Sequence, residues 1–129
     1  TGQLDAAREL YLRLRQDFAG DPSEQLGWAG AAEILRDMGM LDAALAEYLS
    51  ALEKFPQHPV LHSGTAATLT ELGRFDEALK HYSMAIELDP EGVVPRNGYA
   101  TVHKEAGRLA QALRTYDQII LLFPKDVTA

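Results

Sequence analysis

The stretch that decides the fold is GRFDEALKHYSMAIELDP, residues 73–90. It starts with a glycine, ends with a proline, and carries small or apolar residues at helical intervals, which predicts one amphipathic helix. The glycine marks the end of a preceding helix, because it enters the left-handed conformation without a steric penalty from Cβ. The proline closes the segment, since it lacks the amide donor that a continuing helix needs.

The same stretch recurs on both sides at a constant spacing, as GMLDAALAEYLSALEKFP at 39–56 and GRLAQALRTYDQIILLFP at 107–124. A fixed period of about 34 residues predicts a repeat architecture. Four columns carry it: Gly39, Gly73 and Gly107; Ala44, Ala78 and Ala112; Tyr48, Tyr82 and Tyr116; Pro56, Pro90 and Pro124.

A second segment of helical length precedes each of these glycines: Ser23 to Met38, Pro59 to Leu72, and Val93 to Ala106. Each repeat is therefore predicted to contain two helices. We expect the carboxylates of Asp42 and Asp76 to accept hydrogen bonds from free amides at the start of the second helix.

A helix-turn-helix period with these columns resembles the tetratricopeptide repeat family over nearly the whole chain. The family's fourth-position tryptophan and small eighth-position residues align with Trp28, His62 and Arg96 and with Ala32, Ala66 and Ala100. The tryptophan is thus kept once and replaced twice. Tyr48, Tyr82 and Tyr116 are expected to fill the space between hairpins. The resemblance implies an all-α fold, a right-handed superhelix (α-solenoid) of antiparallel helix-turn-helix hairpins with about seven helices.

We predict a single domain over residues 1–129, with full repeats at 23–56, 57–90 and 91–124 and a tail at 125–129. Residues 1–22 form a half repeat that holds only a second helix. That interpretation rests on an alignment of Gly2, Leu4, Asp5, Ala7 and Tyr11 with Gly39, Leu41, Asp42, Ala44 and Tyr48, at an offset of 37.

The ends of a solenoid need a polar outer face, yet residues 119–124 read IILLFP. We therefore expect the chain to be a fragment of a larger protein, or a homo-oligomer that pairs through its uncapped ends.

The resemblance also implies a function, because the first helices of the family's hairpins line a concave groove. We expect a protein-protein interaction scaffold or adaptor module that binds a peptide or helix of a partner protein in that groove. The family's binding positions map onto Leu26, Ala29, Glu33, Arg36, Val60, Ser63, Ala67, Thr70, Val94, Asn97, Thr101 and Lys104. The same rule adds Gly30, Gly64 and Gly98, and the acidic Asp37, Glu71 and Glu105.

The family's best-known ligands are the acidic C-terminal tails of heat-shock chaperones, which Lys, Asn and Arg hold at the fifth and ninth positions as a carboxylate clamp. Those positions are here Ala29, Glu33, Ser63, Ala67, Asn97 and Thr101. Only Asn97 fits the clamp, so we do not expect a chaperone-tail adaptor.

Charge and composition narrow the partners further. The net charge is −7, and residues 21–91 hold 13 acidic against 4 basic side chains, so we expect no nucleic-acid partner. The acidic middle is interpreted either as an ordinary solvated surface or as a surface that steers a partner. No apolar run approaches the roughly 20 residues of a membrane helix, so no membrane insertion is expected. The cytoplasm is the default compartment, and the periplasm and an organelle stay open as alternatives.

We expect no enzyme, cofactor or metal site. The chain has no cysteine and no GxSxG, HExxH or phosphate-binding loop. His58 and His62 have the spacing of two metal ligands on one helix, but Pro59 biases His58 out of the helix. The alternative functions are a regulatory or substrate-presenting segment of a multidomain enzyme and a self-assembly module.

Overall fold

The structure, a computed structural model, describes residues 2–123. Turns of three to five residues join its seven α-helices, and the described range holds no strand. The expected number of helices is confirmed, whereas Pro124 and the tail at 125–129 lie outside the described residues. The helices are α1 (Gly2–Asp17), α2 (Ser23–Asp37), α3 (Leu41–Lys54), α4 (Pro59–Glu71), α5 (Phe75–Leu88), α6 (Val93–Glu105) and α7 (Leu109–Leu122).

The first helices of the hairpins pack on one another more closely than the second helices do. Every helix packs on the next one in the chain, and α2 also packs on α4 and α4 on α6. The second helices α3, α5 and α7 have no comparable contacts with one another. Because the first helices are the ones that touch, the stack curves with α2, α4 and α6 on its inner side. None of the helices within residues 2–123 is both long and apolar enough to cross a membrane.

The turn between the two helices of each hairpin contains the predicted glycine. Gly39, Gly73 and Gly107 have φ of +78°, +79° and +79°. At the central turn, the amide of Gly73 donates to the carbonyl of Thr70 and that of Arg74 to the carbonyl of Leu69, at 3.0 and 2.9 Å. These two bonds satisfy carbonyls that the helix end would otherwise leave free.

The expectation that aspartates cap the second helices is wrong. Helices α3 and α5 begin at Leu41 and Phe75, which places Asp42 and Asp76 inside the first turn, and neither helix has a side-chain cap bond. Helix α7 begins at the equivalent residue without any acid in its first turn. The acids can therefore favour the helix dipole but do not decide where the helix starts.

Tyrosine rings lie between consecutive hairpins. The rings of Tyr48 and Tyr82 lie against Gly64 and Gly98 of the following first helix, and the tyrosines are only 3% and 7% exposed. A Cβ atom built on Gly64 would lie 2.4 Å from Cε1 of Tyr48, and one on Gly98 would lie 2.3 Å from Cε1 of Tyr82. Glycine is thus required at these helical positions by the ring of the preceding hairpin.

The fourth-position residues differ in the polar contacts that they make. The indole of Trp28 donates to Glu24 at 3.0 Å, and Glu24 also accepts the amide of Gly20 at 2.8 Å and pairs with Lys54. The bond from Lys54 is the main cause that lowers the pKa of Glu24, which is 2% exposed, to about 2. The guanidinium of Arg15 lies 3.5 Å from the centre of the Trp28 ring, so the cluster ties α1 to the first full repeat.

At the equivalent position of the next repeat, His62 stands in place of the tryptophan and pairs with His81. Nε2 of His62 lies 2.8 Å from the carbonyl oxygen of Pro56, and its Nδ1 lies 3.1 Å from Nδ1 of His81 on α5. A carbonyl can only accept, so Nε2 carries the proton, and one further proton is shared between the two Nδ1 atoms.

We predict that Gly64→Ala destabilises the protein even though alanine is the better helix former. The added Cβ meets the Tyr48 ring, and such overpacking typically costs about 1–3 kcal/mol, whereas the gain in helix propensity is about 0.5–1 kcal/mol. Urea denaturation should therefore give a free energy of unfolding that is lower by about 1 kcal/mol. In a Tyr48→Leu background, which removes Cε1, Cζ and the hydroxyl, the same substitution should stabilise. A stabilising Gly64→Ala in the otherwise unchanged chain would contradict the ring contact.

We also predict that stability falls as the pH drops through the histidine range. Burial is the main cause that lowers the pKa of His81, and His62 lowers it further while Glu77, itself bonded to Arg74, raises it. The folded state then holds fewer protons than the unfolded state below the usual histidine pKa of about 6.5, so acid favours unfolding in that window.

The histidine prediction is measured as the free energy of unfolding at about pH 7 and about pH 5.5. The loss should shrink in His81→Gln, whose side chain can still donate a hydrogen bond but does not titrate. Thr115→Gln, at the equivalent position of the next repeat, is the matched control and should keep the full loss. Equal losses in all three proteins would mean that His81 does not sense pH.

Candidate functional site

Two neighbouring depressions open on the inner side of the stack. The first, of about 220 Å³, lies over α2 and α4, and the second, of about 410 Å³, lies over α4 and α6. Both are lined by Ala67 and Tyr82, so they form one continuous surface, which we call the inner groove. The remaining lining residues are Ala29, Glu33, Arg36, Tyr48, Val60, Ser63, Gly64 and Val94 in the first depression, and Thr70, Glu71, Thr101 and Glu105 in the second.

Nine of the twelve residues that the sequence placed at a binding surface line the inner groove: Ala29, Glu33, Arg36, Val60, Ser63, Ala67, Thr70, Val94 and Thr101. Leu26, Asn97 and Lys104 line neither depression and are exposed. The structure thus brings most of the predicted set together, and whether these residues bind a ligand stays a prediction.

Sequence reasoning missed the tyrosines of the groove. Tyr48 and Tyr82 belong to second helices and were expected only to pack between hairpins, yet both line the first depression. Neither hydroxyl has a hydrogen-bond partner among residues 2–123, which leaves both available to a ligand. The signal that could have found them is the glycine column at 30, 64 and 98, because glycine inside a helix often marks a close approach by another group.

The inner groove carries exposed apolar side chains and an acidic edge. Val60 and Val94 are 58% and 69% exposed, although each lines the first depression. Three carboxylates, those of Glu33, Glu71 and Glu105, line the two depressions together with one guanidinium, that of Arg36. None of these four side chains forms an ion pair within the described part of the chain.

The groove tyrosines are held in their neutral form. Burial is the main cause that raises the pKa of Tyr48 to about 12; Arg36 opposes the shift, while Glu33 and Glu71 add to it. Burial likewise raises the pKa of Tyr82. Their hydroxyls can therefore act as neutral hydrogen-bond donors and acceptors and are poor bases or nucleophiles at neutral pH.

The groove has the chemistry of a binding surface. It offers apolar side chains to bury, two hydroxyls to bond and carboxylates that can pair with cations. Within residues 2–123, no three His, Asp or Glu side chains come together in a way that could hold a metal ion.

The two ends of the stack carry further apolar surface. A depression of about 480 Å³ is lined by residues of α1 and the turn after it, including Leu10 and Phe18, which are 59% and 47% exposed. On α7, Leu113 is 64% exposed, whereas Leu45 at the equivalent position of α3 is 8% exposed. The last helix therefore exposes a position that a following hairpin covers elsewhere in the stack.

Comparisons with known proteins agree with this architecture. Two family models described as the tetratricopeptide repeat match the chain, one over residues 1–59 and 29–93 and the other over residues 69–129. No curated protein sequence gives a significant match.

Solved structures with the same fold are distant in sequence. A tetratricopeptide repeat protein from Parabacteroides merdae superposes with a TM-score of 0.76 at 24% identity, over 98% of this chain and 49% of its own. MamA AMB-1 superposes with a TM-score of 0.74 at 24% identity, over 94% of this chain and 70% of its own. The chain thus spans about half the length of the Parabacteroides merdae protein.

A third structure contains a ligand. It is the first TPR of Spaghetti (RPAP3) bound to the HSP90 peptide SRMEEVD, with a TM-score of 0.72 at 20% identity, over 81% of this chain and 82% of its own. At these identities the likeness establishes the fold alone. The family models cover the chain from one end to the other, and the chain belongs to the tetratricopeptide repeat family.

Proposed function

We propose that the chain is an interaction module that holds a peptide or helix of a partner protein in its inner groove. The observation that carries the proposal is the exposure of Val60 and Val94 on a concave surface that runs over α2, α4 and α6. Apolar side chains exposed in a groove gain free energy when a partner covers them, by about 25 cal/mol per Å² of buried apolar area.

The extent of the groove also favours a peptide. The two depressions, of about 220 and 410 Å³, open into each other, and their lining residues come from all three first helices, α2, α4 and α6. A linear segment could place one large side chain in the first depression and continue along the groove. The peptide complex of the first TPR of Spaghetti supports the idea that this fold can hold a linear segment.

The sequence leaves two alternative functions open. No constellation in the described residues favours a catalytic role, and none points to an enzyme elsewhere in a longer protein. Self-assembly has one observation in its favour, the apolar surface of Leu10, Phe18 and Leu113 at the two ends.

Light scattering over a wide concentration range tests self-assembly. A mass that stays at that of a single chain would exclude it. A mass that rises with concentration, and that Leu113→Glu restores to the mass of a single chain, would support it, because the substitution places a charge on the exposed apolar end of the stack.

Groove binding is tested with linear peptides selected from a random-peptide display library on the unaltered chain. We predict that Ala67→Arg weakens their binding by about tenfold or more, since a large side chain at the residue shared by both depressions fills the groove. Ala46→Arg, the same change at an exposed site on α3, is the matched control and should have no effect.

Circular dichroism of both variants verifies that the helices are retained. Peptides that bind Ala67→Arg as well as they bind the unaltered chain, or a selection that enriches no peptide, would overturn the groove as the binding surface.

A further inference from the structure

The charges at the edge of the inner groove restrict what can lie in it. Glu71 and Glu105 occupy the same position in successive first helices, one repeat apart, and both line the second depression. Glu33 lines the first depression, where Arg36 is the one cation among the lining residues. Because none of these carboxylates is paired within residues 2–123, their charge is available to a ligand.

The acidic character extends beyond the lining residues. Asp37, like Glu33 and Glu71, raises the pKa of Tyr48, and these three carboxylates outnumber Arg36, which is the one charge that lowers it. The groove also lies within residues 21–91 for most of its length, the part of the chain that holds 13 acidic against 4 basic side chains.

The apolar residues of the inner groove define a second requirement for its ligand. Val60 and Val94 flank the first depression, whose floor is formed by Ala67 and the two tyrosine rings. A ligand that carried only charge would leave both valines exposed to water, as they are in the free chain. The ligand therefore needs at least one large apolar side chain beside its charged ones.

We propose that the partner of the inner groove is a basic amphipathic segment, whose apolar side chain enters between Val60 and Val94 and whose lysines or arginines meet Glu71 and Glu105. This proposal rests on groove binding and adds to it the charge of the ligand. Complementary charge at an exposed edge acts mainly on the association rate and on the choice of partner, and salt screens it. An acidic segment would meet three carboxylates and a single guanidinium, which is the reverse of a carboxylate clamp.

The net charge of the peptides selected from the display library is the first readout. We expect the selected peptides to be net positive and to contain a large apolar side chain. Reversal of the groove charges in the double variant Glu71→Lys/Glu105→Lys should weaken their binding by roughly fivefold, the effect of two surface ion pairs of about 0.5 kcal/mol each.

The matched control is Glu53→Lys/Glu87→Lys. These two glutamates are also exposed and also lie one repeat apart, but on the second helices and outside the inner groove, so the net charge changes equally. Fluorescence anisotropy should give less than about a twofold change for this control, because charges farther away than a Debye length of about 8 Å are screened. A synthetic peptide with each Lys and Arg replaced by Glu should lose binding to the unaltered chain.

The outcomes separate the two proposals. Suppose that Ala67→Arg weakens the binding of the selected peptides. If these peptides are neutral or acidic, or if both double variants weaken their binding equally, the basic segment is overturned and groove binding stays intact. Peptides that Ala67→Arg does not release, or the absence of any enriched peptide, would overturn groove binding and the basic segment with it.

Discussion

The contact between a tyrosine ring and a helical glycine is the constraint on which the rest of the structure depends. Tyr48 against Gly64 and Tyr82 against Gly98 set how closely one hairpin approaches the next, since a single methyl group on either glycine would overlap the ring. The same two rings line the first depression of the inner groove, so the groove floor is the surface of the contact that holds the stack together. A groove made in this way is pre-formed, and a ligand would lose less free energy in ordering it. The charged and exposed residues at the edge of the inner groove can then determine which ligand it prefers.

Much of the fold could be predicted because its signals are local. Glycine and proline punctuate every hairpin within a few residues, and the turns at Gly39, Gly73 and Gly107 have the expected left-handed conformation. The aspartate caps failed because helices α3 and α5 begin one residue before Asp42 and Asp76, a boundary shift that sequence patterns resolve poorly. The histidine pair joins residues 19 apart on two helices and has no counterpart in the other described repeats, so no periodic signal predicted it.

Only part of the inner groove could be predicted from the sequence. Family positions on the first helices indicated nine of its residues, because a repeat fixes which face of each helix points inward. Tyr48 and Tyr82 were assigned to packing alone, since a rule that considers one helix at a time does not see a side chain reaching past a glycine of its neighbour. Leu26, Asn97 and Lys104 obey the same rule but lie outside the two depressions.

The five tyrosines of the chain allow the most direct test of whether the inner groove is where a partner binds. Tyr48 and Tyr82 line the groove, Tyr11 lines the depression on α1, Tyr99 lines a depression beside α7, and Tyr116 lies on α7 itself. Fluorine NMR of the fluorotyrosine-labelled chain, assigned by single Tyr→Phe variants, would follow all five during titration with a selected peptide. We expect the signals of Tyr48 and Tyr82 to shift while those of Tyr11 and Tyr116 stay in place. Shifts confined to Tyr11 or Tyr116 would contradict groove binding and would move the binding site to the ends of the stack.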